Sequence, residues 1–234
     1  MVELQKVITY PFKDEQWALK LLIGIALSLI PIVNFFAVGY GYEIFKAVLR
    51  KEEPYLPEWD NWRELFINGF KVFVVALCYF FIPVLFLLSA MVLWGTSIFL
   101  YDQGKDIEQL VVIGVFLFLV GGLFYLVALV LSPMALALFA RGGEDFGEAF
   151  KLGEILSRIR EVLGDFALAI LVMFAMVIVV VVASMVPLLG FLISIVSTFY
   201  LYYLVYFALF GSVCAEAFTD VETMPAVPPT PSVE

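Results

Sequence analysis

The chain has 234 residues, of which 64% are hydrophobic and 15% are charged, whereas soluble domains are about 45–50% apolar and 25% charged. Its formal net charge of -9 excludes a nucleic-acid-binding protein, because such proteins need a basic surface. The sequence contains no His, and its two cysteines, Cys78 and Cys214, lie far apart in apolar stretches. We therefore expect no metal site, no redox motif and no cofactor.

The first apolar run extends from Leu21 to Tyr42 and is interrupted by Pro31 and Asn34. A single kinked span would fit, since about 20 residues cross a bilayer. The alternative is a re-entrant or short helical hairpin at residues 17–50 that returns to its starting side, because proline disfavours helical geometry in the preceding residue. Lysines and arginines on both flanks mark both as cytoplasmic. This charge distribution favours the hairpin.

An interfacial helix is predicted at residues 57–70, because its large apolar side chains fall on one helical face. These side chains are Trp59, Trp62, Phe66 and Phe70. Two uncharged runs follow and predict spans at 72–101 and 110–140. Between them lies a loop with Lys105 as its single basic residue, which indicates the opposite side of the membrane.

A second interfacial helix is predicted at residues 144–164, where Phe146-x-Glu148-x-Phe150-x-x-Gly153 follows the same spacing as Trp62-x-Glu64-x-Phe66-x-x-Gly69. The matching pattern is compatible with chance or with an internal repeat. The last uncharged run contains a turn signal at residues 187–190 and therefore predicts two spans, 166–186 and 190–215. Residues 1–218 form one membrane domain in this interpretation, and the acidic, proline-rich tail at 219–234 is predicted to be disordered.

Several of these segments resemble a prokaryotic multi-span membrane family catalogued as domain of unknown function 4013. The resemblance rests on Trp17–Gly24, Leu29-Ile30-Pro31, Gly39-Tyr40 and, most specifically, Leu56-Pro-Glu-Trp-Asp-Asn-Trp62. It implies a membrane location up to about Phe218. It assigns no catalytic residue.

Three groups of residues are candidates for contacts with lipids or partners. Glu58 and Asp60, beside Trp59 and Trp62, would form a headgroup or cation site, or alternatively would start a helix and anchor it at the interface. The basic residues Lys151, Arg158 and Arg160 would bind anionic headgroups or form a solvated face that sets topology. Asn34 and Tyr40 would line a polar cavity at the helix break, or satisfy the backbone there.

The absence of charge deep inside the spans argues against an ion pathway. We expect a non-enzymatic membrane scaffold, assembly factor or accessory subunit in the cell membrane, with both termini cytoplasmic. Its partners would be the lipid bilayer and another membrane protein or a second copy of the chain, and not nucleic acid. The alternatives are a small-solute or lipid transporter that uses the break at Pro31 and Asn34, and a lipid-modifying enzyme built on Glu58 and Asp60.

Overall fold

The computed structural model describes residues 4–186 and 189–218, and every regular element in these ranges is helical, which confirms the all-α class. The helices are α1 (Leu4–Thr9), α2 (Trp17–Ser28), α3 (Asn34–Leu49), α4 (Trp62–Asp102), α5 (Glu108–Arg141), α6 (Leu152–Glu161), α7 (Leu163–Ala183), α8 (Leu189–Thr198) and α9 (Tyr206–Glu216). Two 3-10 turns, Tyr10–Lys13 and Glu148–Phe150, and a π-helical segment, Phe199–Val205, complete the order. Of the turn predicted at 187–190, residues 187 and 188 lie outside the described residues, and Leu189 and Gly190 are not a turn but the first residues of α8. The tail predicted at 219–234 also lies outside the described residues.

Four helical stretches in the described chain are long and apolar enough to cross a membrane. They are Trp62–Asp102, Glu108–Arg141, Leu163–Ala183 and Leu192–Glu216. Each overlaps one of the spans predicted at 72–101, 110–140, 166–186 and 190–215. In contrast, α2 has 12 residues and is about 18 Å long at 1.5 Å per residue, too short for a hydrocarbon core of about 30 Å.

The segment at 57–70 differs from the separate interfacial helix predicted there. Residues 57–61 are not helical, and from Trp62 onward the chain is part of α4, which has 41 residues. The helix continues through Gly69 and Lys71 because neither residue breaks the backbone hydrogen-bond pattern, and a single glycine in a helix costs only about 1 kcal/mol.

The segment at 144–164 also differs from one continuous interfacial helix. Gly143 (φ 71°) and Glu144 (φ 64°) have left-handed backbone conformations, which helices do not accommodate. A 3-10 turn follows at Glu148–Phe150, and the regular helix α6 begins only at Leu152 and ends at Glu161.

The described chain forms two compact units, of which the smaller is Val74–Ser132 and the larger is the remainder. In the larger unit α3 lies at the centre, with Ala37, Ile44 and Ala47 fully buried. The helices α2 and α3 are neighbours in the chain and contact each other. Their connection exposes Leu29, Ile30 and Ile32. The insertion of this helix pair into the bilayer stays a prediction.

The smaller unit is a hairpin of two helices with a seam of small residues. Buried small residues recur at seven-residue intervals, Pro83, Ala90 and Ser97 in α4 and Gly114, Gly121 and Ala128 in α5. A seven-residue repeat keeps one face of each helix directed at its neighbour. A Cβ atom on Gly114 would lie 2.6 Å from Nε1 of Trp94, so the small residues allow the helices to approach closely.

Candidate functional site

The Lys20 ammonium group is buried in the first turns of α2 and is held by two carboxylates. Its Nζ atom lies 2.7 Å from Oδ2 of Asp14 and 2.5 Å from Oε1 of Glu58. It also donates to the carbonyl oxygen of Leu56 at 3.2 Å. These three bonds use every donor of the ammonium group, so Lys20 joins the segment before α2 to the segment before α4.

The ion pairs around Lys20 shift the pKa values of two partners. Burial tends to raise the pKa of the Asp14 carboxyl, but hydrogen bonds from the Lys20 ammonium and the Gln16 backbone N–H lower it below its ordinary value. Burial tends to lower the pKa of Lys20, but the hydrogen bonds to Asp14 and Glu58 raise it overall. Both groups are therefore charged at neutral pH.

Aromatic rings cover the same cluster. The indole Nε1 of Trp59 donates to the carbonyl oxygen of Lys20 at 3.2 Å. The Trp59 ring stacks on Tyr40, with centroids 4.1 Å apart, and on Trp62 at 5.8 Å. Tyr40 is fully buried by these contacts. The structure thus brings Glu58, Trp59, Trp62 and Tyr40 together around α2.

Asp60 has a different role from Glu58. Its Oδ1 atom accepts the backbone N–H of Asn61 at 2.8 Å, and the Asn61 side chain donates to the Glu64 carboxylate. Asn61 immediately precedes α4, so these acids stabilise the unpaired N–H groups of its first turn. Glu58 and Asp60 therefore bind separate partners.

A second polar cluster, which we did not predict, links α3, α4 and the loop after α5. The Lys46 Nζ atom lies 2.8 Å from Oε1 of Glu43 and 3.8 Å from Oε1 of Glu144. The other Glu144 oxygen forms an ion pair with Lys71. Asn68 donates to Oε1 of Glu43 at 2.7 Å. The sole signal in the sequence was the pair Glu43 and Lys46, one helical turn apart at the end of an apolar run.

The three basic candidates lie in different environments. Lys151 forms an ion pair with Glu148 in the adjacent 3-10 turn, at 2.6 Å. Arg158 donates from Nη1 to the carbonyl oxygen of Ala217 at 2.9 Å, and its guanidinium lies 4.9 Å from the centre of the Phe218 ring. Arg160 is exposed. Arg158 thus connects α6 to the end of α9, and its hydrogen bond satisfies a carbonyl group at the C-terminus of that helix.

Asn34 is the first residue of α3 and is partly buried. Its Oδ1 atom accepts a hydrogen bond of 2.7 Å from the hydroxyl of Tyr203, which belongs to the π-helical segment. Asn34 and Tyr40 therefore contact different neighbours, Tyr203 and Trp59.

Metal-ligand residues do not converge in the described ranges: no group of three or more His, Cys, Asp or Glu side chains there could hold a metal ion. The two cysteines are free, Cys78 exposed and Cys214 buried.

A family model described as Protein of unknown function (DUF4013) matches residues 23–189. The chain belongs to this family. The match begins within α2 and includes Glu58, Asp60, Lys151, Arg158 and Arg160. No curated protein and no solved structure matches the chain. The family description names no activity, so the side-chain geometry carries the functional argument.

Proposed function

We propose that this chain is a non-enzymatic membrane scaffold or accessory subunit. The observation that carries the proposal is the use of charged side chains as links between helix ends. Lys20 joins the segments before α2 and α4, Glu144 joins the loop after α5 to α3 and α4, and Arg158 joins α6 to α9. Cations and carboxylates that are paired with one another hold the ends of the helices in fixed positions. This arrangement suits a scaffold better than a catalytic site.

The apolar helices supply the surface that a scaffold needs. Most of the large side chains of the α4–α5 hairpin are exposed, among them Met91, Val92, Ile98, Phe99, Val112, Phe116, Leu119 and Leu123. Such surface is stable only against lipid or another apolar helix. In our proposal the hairpin contacts the bilayer and another membrane protein or a second copy of the chain.

Site-specific photocrosslinking tests the scaffold role in the intact chain. A photoreactive phenylalanine at Phe116, which is 62% exposed, is expected to crosslink to a membrane protein identified by mass spectrometry, or to a second copy. The matched control is Phe86, whose Cβ atom faces Gly121 inside the hairpin. Adducts with lipid alone at Phe116 would contradict the proposal. So would catalytic turnover by the purified, reconstituted chain.

The proposal includes a topology in which both termini and the two segments at 57–70 and 144–164 are cytoplasmic. In support, the ion pairs join the start of α2 to the segment before α4, and the start of α4 to the loop after α5. The helix α6 buries Ile155 and Ile159 and exposes Arg160 and Glu161, a pattern suited to the membrane interface. Cysteines introduced at positions 5, 55 and 230 are expected to react with an impermeant reagent from the cytoplasmic side, and a cysteine at 104 from the other. Opposite labelling of 5 and 55 would refute the hairpin.

Transport of a small solute or lipid is the second candidate function, and the π-helical segment Phe199–Val205 favours it. Such segments are rare and frequently lie at functional sites. Here Tyr203 contacts Asn34 beside the break at Pro31, and broken helices host transport sites. Proteoliposomes loaded with a panel of solutes and fluorescent lipids test this function. A flux that is lost in Asn34→Leu and kept in Asn61→Leu would support the transport function. The absence of flux in the wild type would eliminate it.

A further inference from the structure

A pocket of about 200 Å³ opens beside the Lys20 cluster, between the N-terminal segment and the segment before α4. Its wall includes Lys6, Tyr10, Lys13, Asp14, Glu53 and Tyr55. Drug-sized ligands occupy pockets of about 300–1,000 Å³, so this pocket suits a group the size of a lipid headgroup.

Besides Lys6 and Asp14, Lys13 and Glu53 give the pocket wall one positive and one negative charge. Asp14 is engaged by Lys20. Lys13 and Glu53 are exposed, and within the described residues neither forms an ion pair. An ammonium and a carboxylate on one wall are complementary to a ligand that carries both an anion and a cation. Tyr55, two residues after Glu53 on the same wall, adds an aromatic ring that can attract the cationic part.

A buried hydroxyl lies behind this wall. The Tyr40 side chain is fully buried, and its hydroxyl has no hydrogen-bond partner among the described residues. It is within electrostatic range of Asp14 and Tyr55, and of Tyr10 in turn, and all three belong to the pocket wall. Buried hydroxyls normally have a partner, so this one is an unsatisfied polar group close to the charged residues of the pocket wall.

Two exposed aromatic side chains lie next to the pocket residues Lys13 and Asp14 in the chain. Phe12 and Trp17 flank Lys13 and Asp14 in the chain, pack edge to face with centroids 5.2 Å apart, and remain 52% and 38% exposed. Aromatic side chains of this kind are enriched at the membrane–water interface. A ligand with its charged end in the pocket would therefore place its apolar end over these rings.

We propose that this pocket binds the zwitterionic headgroup of an aminophospholipid, with the phosphate at Lys13 and the ammonium at Glu53. The acyl chains lie over Phe12 and Trp17. The inference requires the membrane location of the chain but is independent of the scaffold role.

Native mass spectrometry of the full chain in mild detergent tests the proposal, with short-chain phosphatidylethanolamine and phosphatidylglycerol as probes. Wild-type protein is expected to retain phosphatidylethanolamine more tightly. Glu53→Gln is expected to weaken the binding of phosphatidylethanolamine about tenfold and to leave the binding of phosphatidylglycerol unchanged. The reason is that only the ammonium group loses a charge-assisted hydrogen bond. Lys13→Gln is expected to weaken both lipids, because both carry a phosphate.

Matched controls lie outside the pocket, at exposed Lys105 and Glu108. Lys105→Gln and Glu108→Gln are expected to retain both lipids as the wild type does. Glu53→Lys should reverse the preference toward phosphatidylglycerol, and circular dichroism of every variant verifies folding. Equal retention of the two lipids by the wild type would overturn the proposal, and so would unchanged phosphatidylethanolamine binding in Glu53→Gln. Soluble phosphoethanolamine that binds as tightly as the lipid would overturn the assignment to a membrane lipid.

Discussion

Gly39 in α3 and Gly69 in α4 lie against each other's helix backbone. A Cβ atom on Gly39 would lie 1.8 Å from the carbonyl oxygen of Leu65, and one on Gly69 would lie 1.8 Å from the carbonyl oxygen of Phe35. No rotation of a side chain can relieve contacts with backbone atoms. The two glycines therefore set the distance at which α3 and α4 cross. They thereby also set the position of the hydrogen bond between Glu43, one turn after Gly39, and Asn68, the residue before Gly69.

We expect Gly69→Ala to destabilise the protein by at least about 1–3 kcal/mol, the usual cost of overpacking. Gly153 provides the matched control, because it occupies the corresponding place in the second sequence motif and a Cβ atom there would meet nothing within 4 Å. Gly153→Ala is expected to be neutral or slightly stabilising, since alanine favours helix. Thermal unfolding in detergent, followed by circular dichroism, measures both. Equal losses of stability in the two variants would show that the crossing of α3 and α4 does not depend on Gly69.

The contrast between these glycines shows what the sequence motif could and could not predict. Trp62–Gly69 and Phe146–Gly153 share residue types and spacing, yet one is the beginning of a long helix and the other spans a 3-10 turn and the start of α6. Spacing specifies which residues share a helical face if a helix forms. It does not specify where a helix begins, because the left-handed residues Gly143 and Glu144 lie outside the motif.

The apolar helices could be predicted because hydropathy is a local property of the chain. The ion pairs could not, because their partners are distant in sequence. Lys20 appeared only as a charge that sets topology, although it pairs with Glu58, 38 residues away. Lys71 and Glu144 are separated by 73 residues. Pairing at such distances depends on how the helices cross, which the glycine contacts determine and the charge pattern does not.

A second glycine pair tests the seam of the α4–α5 hairpin. A Cβ atom on Gly121 would lie 2.8 Å from the Cβ atom of Phe86, whereas one on Gly122 would meet nothing within 4 Å. Gly121→Ala is therefore expected to lower stability by about 1–3 kcal/mol through overpacking, and Gly122→Ala to be neutral. The midpoint of denaturation by sodium dodecyl sulfate compares the two adjacent substitutions. A larger loss of stability in Gly122→Ala than in Gly121→Ala would mean that α5 approaches α4 through the face that carries Gly122.

The Lys20 cluster should make stability depend on pH in a defined direction. The pKa of Asp14 is lowered in the folded chain, so its stabilising contribution is fully present above the ordinary carboxyl pKa of about 3.9 and is lost as the pH falls through the lowered pKa. The pKa of Lys20 is raised. Its contribution is therefore fully present below the ordinary lysine pKa of about 10.4 and is lost as the pH rises through the raised pKa.

Asp14→Asn is accordingly expected to destabilise the protein at pH 7 by roughly 1.5–3 kcal/mol, the cost of losing a hydrogen bond to a charged group. The difference from the wild type should shrink as the pH is lowered below about 4. Glu15→Gln is the control, because Glu15 is exposed and adjacent. Unfolding midpoints measured at intervals from pH 7 to pH 3 give the comparison. A difference that persists unchanged at pH 3 would argue against an ionised Asp14 in the folded chain.

Arg158 is expected to hold the end of α9 through its planar guanidinium and not only through its charge. It donates to the carbonyl oxygen of Ala217. The centre of the Phe218 ring lies 4.9 Å from the guanidinium carbon of Arg158 and 4.3 Å from that of Arg141. Lysine keeps the charge but neither stacks nor presents a fork of donors. Arg158→Lys should therefore increase hydrogen–deuterium exchange at residues 212–218 and cost about 1 kcal/mol, whereas Arg160→Lys, at an exposed position on the same helix, should change neither. Because both substitutions conserve charge, an equal effect of the two would mean that the end of α9 is held by general electrostatics and not by this contact.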